Sequence, residues 1–232
     1  MKLSSRIQLL LAVTMSLVAV FSLTSGVGTV CLAFRATNWK PFAKLAEWAS
    51  AYQTITIATL IVGFAASIIA YAFIRGEKWA YVAAVVTVIV GLIFGIWHIQ
   101  TSLAARGSAT PGNLKVYVDV IALVILLIIR IPTIWNKLDL NNPMGNNKGS
   151  FNNPIGMAFA FVGLGLLTTP LYAGPSHTFE GINYVEYLLP ELYIIGGIFV
   201  IAGVILMLMT KFGLNIERGL GFIWQKVFAS KA

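Results

Sequence analysis

Two histidines and a few intramembrane charges are the residues that can carry chemistry in this 232-residue chain. The stretch "GIWHIQTSLAARGSATPGNLKVYVDVIALVILLIIR" holds His98, Asp119 and Arg130 inside or beside apolar runs. His98 and Asp119 flank one loop and are expected at similar depth, so the carboxylate can accept a hydrogen bond from the imidazole. That bond would fix the tautomer and leave the second ring nitrogen for a metal, a haem iron or a quinone oxygen. The alternative is a polar fastener between two helices, with no ligand at all. Asp119 and Arg130 are eleven residues apart, about 16 Å of helix rise, so they share a stripe and cannot touch. Arg130 reads as a snorkelling anchor beside Trp135.

A second group lies in "GPSHTFEGINYVEYLLPE", where His177 and Glu180 join Glu186 and Glu191. Together with His98 and Asp119, His177 and Glu180 form the candidate ligand set for a divalent transition metal. The identity of any cofactor stays open. No HExxH, CxxC or CxxCH occurs, and one cysteine, Cys31, permits no internal disulfide. Paired intramembrane histidines are missing, which argues against a di-haem cytochrome. "GSATPGN" lacks the P-loop lysine, and there is no G-x-S-x-G elbow. A membrane-bound enzyme, a third reading, has only this outer His/Glu collection behind it.

The elements that must position these residues are membrane helices. Hydrophobic residues make up 58% of the chain and charged ones 10%, far below the quarter usual in soluble domains. Runs of about 20 apolar residues match a hydrocarbon core about 30 Å thick. We therefore expect an all-α polytopic bundle of six transmembrane helices at 8–34, 53–74, 79–99, 116–135, 154–173 and 191–211. The start "MKLSSRIQLLLAVTMSLVAVF" resembles a signal peptide, but its apolar run continues to Phe34, so we read it as the first span. Residues 213–232 read as an interfacial amphipathic tail, with Arg218 and Lys226 toward lipid phosphate.

Lys and Arg divide ten against five, with Arg130 left over, in favour of the side holding both termini. By the positive-inside rule both termini are expected in the cytoplasm, and the expected location is the plasma (inner) membrane. Lys115 falls among the five on the far side. The formal charge of +8 is then a topology signal with some affinity for anionic headgroups, and nucleic acid is not an expected partner. The tryptophans gather at span ends, with Trp79, Trp97 and Trp135 as interface anchors.

Where lipid replaces water, small residues mark helix contacts. Gly91 and Gly95 share a face of span 3 with His98. Gly156 and Gly163 mark span 5, and Gly196 and Gly203 mark span 6. In span 2, Gly63, Ser67, Ala66 and Ala70 are expected to face span 3 across the tight turn "RGEK". The expected role is a small non-catalytic accessory subunit or scaffold of a larger membrane complex, with the bilayer and other membrane subunits as partners. The alternative is a small transporter, channel or redox carrier using a proton, metal or haem site near His98 and Asp119.

Overall fold

The computed structural model describes residues 3–35, 40–107, 109, 112–138, 140, 152–173, 178–179, 182–183, 185–186 and 189–212. Helix α1 covers Leu3–Arg35, followed by a 3-10 helix at Lys40–Trp48, then α2 (Ala49–Arg75) and α3 (Ala80–Arg106). Next come α4 (Gly112–Ile129), the single turn α5 (Pro132–Trp135), α6 (Asn152–Ala173) and α7 (Leu189–Lys211). Two-residue strands β1 (Thr178–Phe179) and β2 (Ile182–Asn183) pair antiparallel between α6 and α7. The fold is therefore all-α apart from that short pairing. Among the described residues, four segments are long and apolar enough to cross a membrane: Leu3–Val30, Leu45–Arg75, Ala80–Ala105 and Leu189–Met209. Ile155–Leu171 is a shorter apolar helix.

The turn between α2 and α3 follows from Gly76, which adopts φ 71° and caps α2 with its N–H directed to the Ala72 and Phe73 carbonyls. Only glycine takes that left-handed position without a steric penalty. Helix α3 runs to Arg106, two turns beyond the expected 99, and stops at a second left-handed residue, Gly107. Gln100, Thr101 and Ser102 lower the hydropathy there without breaking the helix. The expected unbroken span 116–135 is corrected. Helix α4 ends at Ile129, Ile131 is extended at φ −56°, ψ 129°, and Pro132 starts a new turn. A residue before proline is driven out of the α region by its clash with the ring, so the break was written in "RIPTIW".

Helices α1 to α4 form a ring in which each packs on its two neighbours, while α1 and α3 barely meet across the diagonal. Helix α6 leans on α1 and α2, and α7 packs chiefly on α6. Inside the ring, the end bearing the α2–α3 turn is filled by apolar side chains, among them Leu11, Met15, Phe73, Val88 and Leu126. The exterior is apolar as well: Ile121, Val124, Ile198 and Ile201 are all exposed. Such a surface suits lipid and not water.

Glycines set the closest approaches. A Cβ on Gly63 would lie 2.6 Å from Leu23 Cδ2, and one on Gly26 would lie 2.7 Å from Leu60 Cδ2. Gly63 thus faces α1, not span 3 as expected. The α6–α7 contact is closer still. A Cβ on Gly163 would lie 2.6 Å from the Gly196 carbonyl oxygen, and one on Gly203 2.5 Å from that of Gly156. There the two helices touch backbone to backbone, the arrangement that small residues permit in lipid.

Candidate functional site: a buried ion pair in the polar half of the ring

The end of the ring away from the α2–α3 turn has a different interior. Lys115 and Asp119 stand one turn apart on α4, and their side chains are 2% and 0% exposed. The Lys115 ammonium donates to Asp119 Oδ2 at 2.5 Å and to the Gly91 carbonyl of α3 at 2.8 Å. Four residues turn a helix through a little more than one revolution, so both side chains leave α4 on the face that meets α3. The space comes from α3. A Cβ on Gly91 would lie 3.0 Å from Asp119 Oδ2 and 3.3 Å from Lys115 Nζ, and one on Gly95 would lie 2.7 Å from Val116 Cγ2. Two glycines one turn apart leave a flat strip on which α4 lies and into which the lysine folds.

The Gly91 carbonyl has two lone pairs, and a helical N–H uses only one of them, so the ammonium takes the other. A lysine has three N–H donors, and the carboxylate has about four acceptor positions. Asp119 Oδ1 is buried and has no hydrogen-bond partner among the described residues. The pair therefore neutralises its own charge yet leaves one carboxylate oxygen unsatisfied.

Above the pair the interior stays polar. His98 is 2% exposed and meets the Tyr52 ring edge-on, with centroids 6.0 Å apart. The Tyr52 hydroxyl shares a 3.2 Å hydrogen bond with Ser102 Oγ, and Thr29 on α1 shares one of 2.8 Å with Thr56 on α2. Gln53 donates to the Ala33 carbonyl at 2.9 Å. Thr59, Thr101 and Ser22 are buried too. A small apolar lid closes this half, with Leu32, Ala33, Leu45 and Tyr52 packed against Trp48 and Ala105. This half of the interior is thus packed with hydroxyls, one imidazole and one ion pair. Buried polar groups of this kind fix helix register when they find partners, and mark sites when they do not.

No protein-family model matches the chain, and neither the curated proteins nor the solved structures give a match.

Asp119 is partnered by Lys115, where the sequence pointed to His98. Asp119 lies level with Gly91, and His98 is seven residues further along α3, about 10 Å of rise. Its ring turns to α2. Lys115 is a correction: counted as a charge of the far-side flank, it is interior. Its signal was the spacing in "KVYVD", which puts ammonium and carboxylate one helical turn apart. Among the described residues no group of three His, Cys, Asp and Glu stands together to hold a metal ion. His177 and Glu180 lie outside the described residues, as does the tail 213–232.

The remaining candidates sit where helices end or touch. Trp79 and Trp97 are 45% and 38% exposed. Arg130 stacks over the Trp135 ring with its guanidinium carbon 4.4 Å from the centroid. Trp135 in turn packs on Tyr81, whose hydroxyl donates to the Leu126 carbonyl at 2.9 Å. The cation–π contact and the Tyr81 hydrogen bond thereby help tie down the break after α4.

Proposed function

We propose that this chain is an integral membrane protein of the plasma membrane that crosses the bilayer six times with both termini in the cytoplasm. In that reading α4 and α6 complete the four longer spans. Its role is that of a non-catalytic accessory subunit, holding larger membrane partners through its apolar faces. One observation carries this reading: the ionisable pair is sealed, while the surface offered to other molecules is apolar. A catalyst or carrier must bring its working groups to a substrate, and Lys115 and Asp119 are 2% and 0% exposed. What the exterior does present is Ile, Leu and Val, which engage lipid and other helices through van der Waals packing. Purification in mild detergent from native membranes is expected to bring down stoichiometric partner subunits. A monodisperse single chain that conducts solute after reconstitution overturns the assignment.

A second reading has its own support in Asp119 Oδ1. A buried carboxylate oxygen without a partner marks a proton or ion site in many membrane proteins. On that reading the buried polar groups around the pair are a stopping point for a proton or small ion, and parting of the apolar cluster around Trp48 admits it. Asp119→Asn then abolishes pH-driven flux in vesicles while the chain stays folded. Flux that is unchanged in this variant removes the second reading. For a metal or haem near His98, the corresponding observation is a metal content or visible band lost in His98→Ala.

A further inference from the structure

A cleft of about 410 Å³ opens between α1, α2 and α6, outside the ring that holds the ion pair. Large exposed apolar side chains stand at its mouth: Val20, Met157 and Phe161 are 39%, 64% and 37% exposed. The two serine hydroxyls in its wall are turned inward to their own helices, and Tyr71 stands beside them. Ser16 donates to the Ala12 carbonyl at 2.8 Å, and Ser67 to the Gly63 carbonyl at 3.0 Å. A polar solute or a polar helix face entering the cleft would have to compete for these hydroxyls, whereas a hydrocarbon chain asks nothing of them. At one end the wall is Ile74, and the next residue is Arg75, a partly exposed cation paired with Glu77 at 3.3 Å. Exposed Lys78 follows in the same turn. The apolar walls thus end within one turn of two basic side chains and one acid, a net positive turn that matches a single lipid molecule, its tail in the cleft and its phosphate at the turn.

We propose that this cleft binds one acyl chain of an anionic phospholipid, with Arg75 and Lys78 at the headgroup. The inference rests on the reading that α1, α2 and α6 lie in a bilayer. Native mass spectrometry on the full chain, incubated with phosphatidylglycerol or phosphatidylcholine and washed in detergent, tests it. The wild type is expected to keep one phosphatidylglycerol and to lose phosphatidylcholine. Ser67→Phe and Ser16→Phe, which fill the cleft from two different walls, are expected to lose the bound lipid, and Ser67→Ala to keep it. Arg75→Gln is expected to lose the preference between headgroups.

A wild-type measurement avoids any dependence on those variants folding. Phosphatidylglycerol with a photoreactive group on its tail is expected to label the α1 and α6 walls above the outward face of α4. Equal labelling of all faces, or retention unaffected by both phenylalanines, overturns the site. Cross-linking of Val20→Cys chains to each other, with no lipid retained, gives the cleft to a second copy and overturns it too. Release of the protein from membranes by alkaline carbonate would instead remove the spanning reading on which the site depends.

Discussion

Lys115 and Asp119 illustrate how one buried residue depends on another. Taking a charge out of water costs several kcal/mol, and only a partner of opposite sign with good hydrogen-bond geometry offsets that cost. Lys115→Met leaves the Asp119 carboxylate buried without its counter-charge. We expect a loss of about 3–5 kcal/mol, the range found when one member of a buried pair is removed. Replacing both members, as Lys115→Met with Asp119→Leu, is expected to recover most of that stability, because well-packed apolar residues remove the desolvation cost altogether. Thermal unfolding of both variants in one detergent measures the difference. A double variant no more stable than the single one would show that the pair's worth lies in its contact with Gly91. The pair was half readable in the sequence. Asp119 stood out as an intramembrane acid, but Lys115, near a span end, looked like a flanking charge. Hydropathy places a residue along the membrane normal and says nothing about which way its side chain turns. The i,i+4 spacing held that second piece of information.

At the scale of elements, glycines decide which helices approach. Gly91 makes room for the ammonium, and we expect Gly91→Leu to expel Lys115 from the α3–α4 contact, since a Cβ alone would already lie 3.3 Å from Nζ. A cysteine-reactive probe on Leu114→Cys, beside the displaced turn, is expected to report the change. The α6–α7 seam is stricter. A Cβ on Gly163 or Gly203 meets backbone atoms, which cannot rotate away as a side chain can. Gly163→Val is therefore expected to part α7 from α6 while leaving the α1–α4 ring folded, because α7 packs chiefly on α6. Limited proteolysis is the check: new cleavage confined to the α6–α7 region fits, and general unfolding does not. Small residues were visible along both helices in the sequence, yet their partners were not. Gly63 was matched to span 3 because the "RGEK" turn makes α2 and α3 neighbours, but α2 packs most closely on α1. Connection order predicts adjacency, and the shape of Leu23 against Gly63 decides which face is used.

At the scale of the whole molecule, the polar half of the ring and the distribution of charge bear on the same question, which end faces out. With Lys115 folded into the interior, the positive-inside count becomes ten against four, since a lysine paired with aspartate inside a bundle no longer acts as a flanking cation. The proposed cytoplasmic placement of both termini thus gains support from a residue first counted against it. On that proposed placement the polar half of the ring and the apolar cluster around Trp48 would lie in the outward half of the bilayer, and the Arg75–Lys78 turn in the inward half with the anionic headgroups. Single cysteines at Lys78 and Leu103 discriminate the two orientations: an impermeant thiol reagent applied to intact cells is expected to label Leu103→Cys and spare Lys78→Cys, with Cys31 replaced by serine beforehand. The reverse pattern would face the Trp48 cluster to the cytoplasm and remove the charge argument for cytoplasmic termini. Labelling of both sites would mean that α3 does not cross the bilayer, and a buried ion pair would then need a soluble fold to explain it. That outcome is hard to reconcile with α3 itself, where Val82, Val86, Ile89 and Ile93 turn outward along a continuous strip that only hydrocarbon can cover at low cost.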